Sequence, residues 1–129
     1  MTVRVLLVDD HFSKEILTDF LADLDVSIDF SDTGVEACAK ALKTDYDVIF
    51  MDIIMPDMSG IEATRYLRKN LAANKQPKIV ASTGNAITRK GHDQLAAAGF
   101  DDALIKPYTQ DMVDRVFSQW LPTLPSCAQ

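Results

Sequence analysis

The chain has few cysteines and no long apolar run. A membrane-spanning helix needs about 20 consecutive apolar residues, and no stretch of the 129-residue sequence approaches that length. The apolar run at the N-terminus is short and meets Asp9 at once, so it does not resemble a signal peptide. The two cysteines, Cys38 and Cys127, are too few and too far apart for a disulfide framework or a zinc site. We therefore expect a soluble protein of the cytoplasm, without a membrane partner.

Positive charge is also scarce. Lysine and arginine number 13 against 19 acidic residues, and the formal net charge is −6. Such a field repels a phosphate backbone, which argues against direct nucleic-acid binding. A metal cation or a basic protein surface is a better electrostatic match. With 47% hydrophobic residues, the composition is that of one ordinary globular domain.

Five short apolar runs alternate with helical patterns along the chain. The runs are Val3–Val8, Val26–Phe30, Val48–Met51, Lys78–Ser82 and Ala103–Ile105. The first and third are apolar almost throughout, which is typical of strands covered on both faces of a parallel sheet. Between the runs, apolar residues recur at helical spacing. This alternation predicts an α/β fold, a doubly wound parallel sheet with helices on both faces.

Local signals mark several helix ends. Gly99 predicts the end of a fourth helix that begins near Thr88. Ser59, three residues before Glu62, predicts the N-cap of the third helix, and its neighbour Gly60 is assigned to the turn. On the second helix, the residues expected to be buried are Val35, Cys38, Ala41 and Leu42. Three acidic residues outside the site are expected to be merely solvated: Asp57 in a loop, and Asp101 and Asp102 in the polar lead-in to the last strand.

Charged residues stand at the ends of three of the predicted strands. Asp9 and Asp10 close the first run, Asp52 follows the third, and Lys106 follows the fifth. A charge at the end of a buried strand is costly unless a site uses it. Singly, each has an ordinary explanation, such as a helix cap or a surface lysine. In a parallel sheet, however, the carboxyl ends of the strands lie together, and ligands of such folds bind there.

The chemistry of these groups suits a phosphoryl group. Clustered carboxylates repel one another unless a cation is present, and Mg²⁺ prefers oxygen ligands. With Lys106 as a second positive charge, Asp52 is the candidate nucleophile for an aspartyl phosphate. Thr83, at the end of the fourth run, could donate its hydroxyl to a phosphoryl oxygen. Gly84 would let the backbone N–H approach the same group.

Four motifs follow one another at compatible spacing. They are Leu6-Leu7-Val8-Asp9-Asp10, the stretch Met51–Gly60 with Met55-Pro56, Ser82-Thr83-Gly84, and Lys106-Pro107. With these motifs the chain resembles the receiver domain of two-component response regulators over about residues 2–121. The resemblance implies a flavodoxin-like (βα)5 fold with strand order 2-1-3-4-5. Residues 1–121 would form the receiver domain and residues 122–129 a short C-terminal tail.

The resemblance also assigns roles within the site. Asp52 would accept a phosphoryl group from a phosphohistidine of a sensor histidine kinase or a histidine phosphotransfer protein, and Thr83 and Lys106 would contact that group. The implied Mg²⁺ ligands are Asp9 (mainly through water), Asp10, Asp52 and Ile54 (through its carbonyl). Two positions depart from the usual pattern. Ala103 replaces an aromatic residue that couples to the threonine, and the bulky Ile54 is expected to slow hydrolysis of the phosphoryl bond.

Three functions remain open from the sequence. The first is a phosphorylation-controlled switch that catalyses only its own phosphorylation and dephosphorylation. It would signal to a downstream protein by contact, without an output domain of its own. It would be a stand-alone regulator or a receiver cut from a hybrid kinase, and in either case both a monomer and a homodimer remain open. The second is a small Mg²⁺-dependent phosphatase or phosphotransferase, but such enzymes usually carry a second acid where this chain has Ile54. The third is an unphosphorylated interaction module, although the acidic pair, acceptor and lysine are all present.

Overall fold

A computed structural model describes residues 3–9, 11–22, 25–55, 57–84, 88–106 and 109–120, with the backbone alone for residues 11–14. The five strands are β1 (Val3–Val8), β2 (Val26–Ser31), β3 (Val48–Asp52), β4 (Lys78–Thr83) and β5 (Asp102–Ile105). The five helices are α1 (His11–Phe20), α2 (Gly34–Lys43), α3 (Gly60–Asn70), α4 (Arg89–Ala98) and α5 (Gln110–Trp120). A short 3-10 helix, Ala73–Lys75, precedes β4. The predicted strands are confirmed, each to within one residue at either end.

All strand pairs are parallel, and the sheet order is β2-β1-β3-β4-β5. The predicted fold and strand order are therefore confirmed. The register places Val8 beside Met51 and Thr83 beside Ile105. As a result, the ends of β1, β3, β4 and β5 reach the same edge of the sheet.

Helices cover the sheet on both faces, which explains why β1 and β3 are apolar almost throughout. Alternate residues of β3 enter two separate cores, with Ile49 and Met51 on one face and Val48 and Phe50 on the other. On the second face the rings of Phe50 and Phe117 stack with centroids 6.4 Å apart, joining the central strand to α5. Among the described residues, no helix is both long and apolar enough to cross a membrane.

The buried face of α2 differs in part from the prediction. Cys38 and Ala41 are buried, as expected, but Val35 and Leu42 are 59% and 47% exposed. The buried positions of α2 are Gly34, Ala37, Cys38 and Ala41. These positions follow the i, i+3, i+4, i+7 spacing of one helix face, and the two mispredicted residues each lie one position beyond it.

The predicted helix ends are confirmed. The Ser59 side chain accepts a hydrogen bond from the Glu62 backbone N–H at 3.1 Å and so caps α3. Thr88 caps α4 in the same way. Gly99 ends α4 with φ of 113°, in the left-handed region that favours glycine.

Candidate functional site

Three side chains from the ends of three strands meet at the carboxyl edge of the sheet. The Lys106 ammonium donates to Asp9 Oδ1 at 2.9 Å and to Asp52 Oδ2 at 3.3 Å. The Asp9 side chain is fully buried, and those of Asp52 and Lys106 are 17% and 19% exposed. The parallel register thus brings together residues that lie as many as 97 positions apart in the sequence.

Two carboxylates share a single ammonium group in this cluster. Burial raises the pKa of Asp52, and the neighbouring charge of Asp9 adds to that rise, although the Ile54 N–H and Lys106 oppose it. Burial by itself would lower the pKa of Lys106, but hydrogen bonds and charge from Asp9 and Asp52 outweigh it, so this pKa is raised. The ionised cluster therefore carries one negative charge in excess, in a half-buried place that favours a further cation.

Backbone groups complete the edge around Asp52. Ile54 donates its N–H to Asp52 Oδ1 at 3.1 Å, while its side chain is 75% exposed. Thr83 is buried, and its carbonyl accepts the Lys106 backbone N–H at 2.7 Å, which ties the ends of β4 and β5 together. A Cβ built on Gly84 would meet open space, with none of the described atoms beyond its chain neighbours within 4 Å. The suggested close approach of the Gly84 backbone to a phosphoryl group stays a prediction.

The carboxylate oxygens of the described residues at this site suit Mg²⁺. Asp9 and Asp52 supply carboxylate oxygens at one place, with the excess negative charge that a divalent ion would offset. The part of the chain that the structure describes contains no group of three or more His, Cys, Asp or Glu side chains placed to hold a metal. Asp10, the other predicted acidic ligand, lies outside the described residues, as does Pro107.

Gly60 has a role in the site that the sequence interpretation missed. It is the first residue of α3 rather than a turn residue, so that assignment was wrong. A Cβ at this position would lie 2.2 Å from the Asp52 carbonyl oxygen and 2.9 Å from Ile53 Cα. The Gly60 N–H also donates to the Ile53 carbonyl at 2.8 Å. The helix therefore begins directly against the backbone that carries Asp52.

The prediction that Asp57, Asp101 and Asp102 are merely solvated was also wrong. Asp57 accepts hydrogen bonds from the N–H groups of Gly34 and Val35. Asp101 pairs with Arg68 at 2.8 Å, and Asp102 accepts from Arg115 and Trp120 at 2.9 and 3.0 Å. Except for the pair formed by Asp102 and Arg115, each partner is at least 18 positions away in sequence. Local patterns do not reveal such partners.

Ala103, which replaces the usual aromatic residue, is partly buried in β5 and packs against the core on the α4 side. A cavity of about 280 Å³ lies beside it, lined in part by His92, Leu95 and Phe100. The expectation that Ala103 does not provide the usual coupling to Thr83 stays a prediction.

A family model described as the response regulator receiver domain matches residues 5–117. The chain belongs to the response regulator receiver family. The resemblance noted from the motifs is thereby confirmed, and members of this family generally act as signalling switches. Transcription factor SKN7 of Chaetomium thermophilum is 37% identical over 124 residues, which are 94% of this chain and 16% of that protein. This chain spans less than half the length of these curated relatives: 16% of this transcription factor, and 3% and 7% of two hybrid histidine kinases of Dictyostelium discoideum.

Solved structures agree with this assignment. The receiver domain of the sensor histidine kinase PA1611 from Pseudomonas aeruginosa superposes with a TM-score of 0.81 at 27% identity, covering 95% of this chain and 99% of that one. That structure has a magnesium ion coordinated in its active-site cleft. The receiver domain of Ssk1 from Saccharomyces cerevisiae, in complex with the histidine phosphotransfer protein Ypd1, matches with a TM-score of 0.82 at 27% identity, covering 92% and 88% of the two chains.

Proposed function

We propose that this receiver domain takes a phosphoryl group onto Asp52 from a phosphohistidine, in a Mg²⁺-dependent reaction, and passes the signal on by protein contact. The donor would be a sensor histidine kinase or a histidine phosphotransfer protein. The observation that carries the proposal is the Lys106 ammonium placed between Asp9 and Asp52 at the carboxyl edge of the sheet. The relatives with bound magnesium and with a phosphotransfer partner support the same choice.

In the proposed reaction a carboxylate oxygen of Asp52 attacks phosphorus as the bond to the histidine nitrogen breaks, and the imidazole leaves with the electron pair and takes up a proton. Lys106 would bind a phosphoryl oxygen, and the Thr83 hydroxyl would bind another. The residues that would hold Mg²⁺ are Asp9, Asp10, Asp52 and Ile54 (through its carbonyl). The ion would offset the charge of the carboxylates and of the transferred group.

The alternative, a phosphatase acting on external substrates, has no specific support among the described residues of the site. Such an enzyme needs an acid near the nucleophile to protonate its leaving group, and position 54 carries an exposed isoleucine. The assignment of residues 1–121 to the domain and 122–129 to a tail stays a prediction, as does the cytoplasmic location.

The test is to incubate the protein with phosphoramidate, a small donor with a P–N bond, with and without Mg²⁺, and to record the intact mass. We expect one added phosphoryl group, only with Mg²⁺, and none in Asp52→Asn. Asp45→Asn is the matched control because Asp45 is an exposed carboxylate that pairs loosely with Lys75, at 3.9 Å. A parent that stays unmodified, or an Asp52→Asn variant that is labelled like the control, would contradict the proposal.

A further inference from the structure

The loop between β3 and α3 is held at its two ends by backbone contacts. The Ile53 N–H donates to the Ser82 carbonyl at 3.1 Å, and the Ile53 carbonyl accepts from Gly60. Between these points lies Ile54, whose backbone faces the site and whose side chain is too exposed to anchor it. The position of the middle of the loop must therefore come from other contacts.

Besides the packing of Met55 and Met58 against the buried core, such contacts are made with the start of α2. Asp57 Oδ1 accepts the Gly34 N–H at 3.1 Å, and Asp57 Oδ2 accepts the Val35 N–H at 3.0 Å. The next N–H of the helix, that of Glu36, is taken by Thr33 Oγ1. One carboxylate from another part of the chain thus satisfies two of the N–H groups that the first turn leaves without partners.

Electrostatics and packing support the same attachment. The hydrogen bond from the Val35 N–H, together with that from Gly34, lowers the pKa of Asp57, so the charged form is favoured where the positive end of the helix dipole lies. A Cβ on Gly34 would lie 3.1 Å from Met58 Cβ and 3.3 Å from Met55 Cε. The loop therefore lies against α2 on both sides of Asp57.

We infer that Asp57 is a positioning residue, which ties the β3–α3 loop to α2 and thereby sets the place of the Ile54 backbone beside Asp52. The inference rests on the proposed function in so far as the Ile54 carbonyl is a Mg²⁺ ligand. Asp57 itself would touch neither the ion nor the phosphoryl group. Its role is to hold in place a ligand whose own side chain is 75% exposed.

The test compares Asp57→Ala and Asp57→Asn with the parent. Mg²⁺ binding to the unphosphorylated protein is measured by calorimetry, the Ile54 amide by NMR, and stability by thermal unfolding. We expect the Mg²⁺ dissociation constant of Asp57→Ala to rise about tenfold, as for other groups that orient a ligand. Asp57→Asn keeps one acceptor oxygen, so its Mg²⁺ dissociation constant should lie between those of the parent and of Asp57→Ala. In both variants the Ile54 amide resonance should move and its hydrogen exchange should become faster.

Glu36→Gln is the control, because it removes one exposed charge from the same turn of α2 without touching the loop. If Asp57→Ala only unfolds at a lower temperature, with the Mg²⁺ dissociation constant and the Ile54 amide unchanged, the inference is overturned. If the parent binds no Mg²⁺, the proposed function fails instead. The Ile54 amide then still decides whether Asp57 positions the loop.

Discussion

At the scale of single residues, the site depends on the missing side chain of a glycine as well as on its charged groups. Gly60 and Gly84 both flank the site, and the sequence interpretation assigned the close approach to Gly84 and only a turn to Gly60. At Gly60 an added Cβ would enter the backbone of Asp52, whereas at Gly84 it would meet none of the described atoms within 4 Å. The tertiary contact, and not the residue type, decides which glycine is required.

We therefore expect Gly60→Ala to lower the free energy of unfolding by about 1–3 kcal/mol, the usual cost of forcing an extra group into a packed place. The start of α3 would have to move away from β3, which would also displace Asp52. Urea unfolding measures the loss, and Gly84→Ala is the matched control, with little expected change. Equal free energies of unfolding for the two variants would contradict this, because they would show that the chain makes room for a Cβ at position 60 without losing stability.

At the scale of the elements, Arg68 joins three segments of the chain near the starts of β4 and β5, at the edge of the sheet opposite the site. From the last turn of α3 its guanidinium donates to the Gly99 carbonyl after α4 at 2.8 Å and to the Pro77 carbonyl before β4 at 2.7 Å. It also pairs with Asp101, which in turn accepts the Ile79 N–H. A planar group with several donors is needed to reach all of these acceptors at once.

We expect Arg68→Ala to cost about 2–4 kcal/mol of stability, because several charge-assisted hydrogen bonds are lost and Asp101 keeps only its backbone donor. Arg68→Lys should recover only a small part, since one ammonium cannot reproduce the fork. Denaturant unfolding measures both variants, with Arg65→Ala on the exposed side of the same helix as the control. A lysine variant as stable as the parent would disprove the need for the guanidinium geometry.

At the scale of the whole molecule, the charged cluster makes stability depend on pH. The pKa of Asp52 is raised above its ordinary value of 3.8 by burial and by Asp9, so the folded state binds this proton more tightly than the unfolded chain does. Ionised Asp52 therefore destabilises the metal-free fold. That cost is full at neutral pH, falls as the pH drops through the raised pKa, and is absent once Asp52 is protonated in both states.

Asp52→Asn, which mimics the neutral acid, should accordingly raise the melting temperature by a few degrees at neutral pH without Mg²⁺. The gain should shrink as the pH falls toward 3.8. Thermal unfolding over a pH series measures the difference, and Asp45→Asn at the exposed pair with Lys75 should show no such trend. A gain that stays constant with pH would mean that the charge of Asp52 is not its source.

Much of the fold could be predicted from periodicity, because helices cover both faces of the sheet and the central strands β1, β3 and β4 are mostly apolar. The helix caps at Ser59 and Gly99 could also be predicted, because their hydrogen bonds join residues only a few positions apart in the sequence. The exposure of Val35 and Leu42 was not, because helical spacing locates an apolar stripe only to about one residue on either side.

The sequence by itself determined the alternating architecture, the strand order through its family motifs, and which residues would stand at the strand ends. Only the tertiary structure decided the partners of those residues: the Lys106 ammonium between Asp9 and Asp52, Gly60 against the Asp52 backbone, and Asp57 on the first turn of α2. The physical reason is range. Propensity and periodicity act between residues close in sequence, whereas charge pairing and steric exclusion act between residues that the fold has brought close in space.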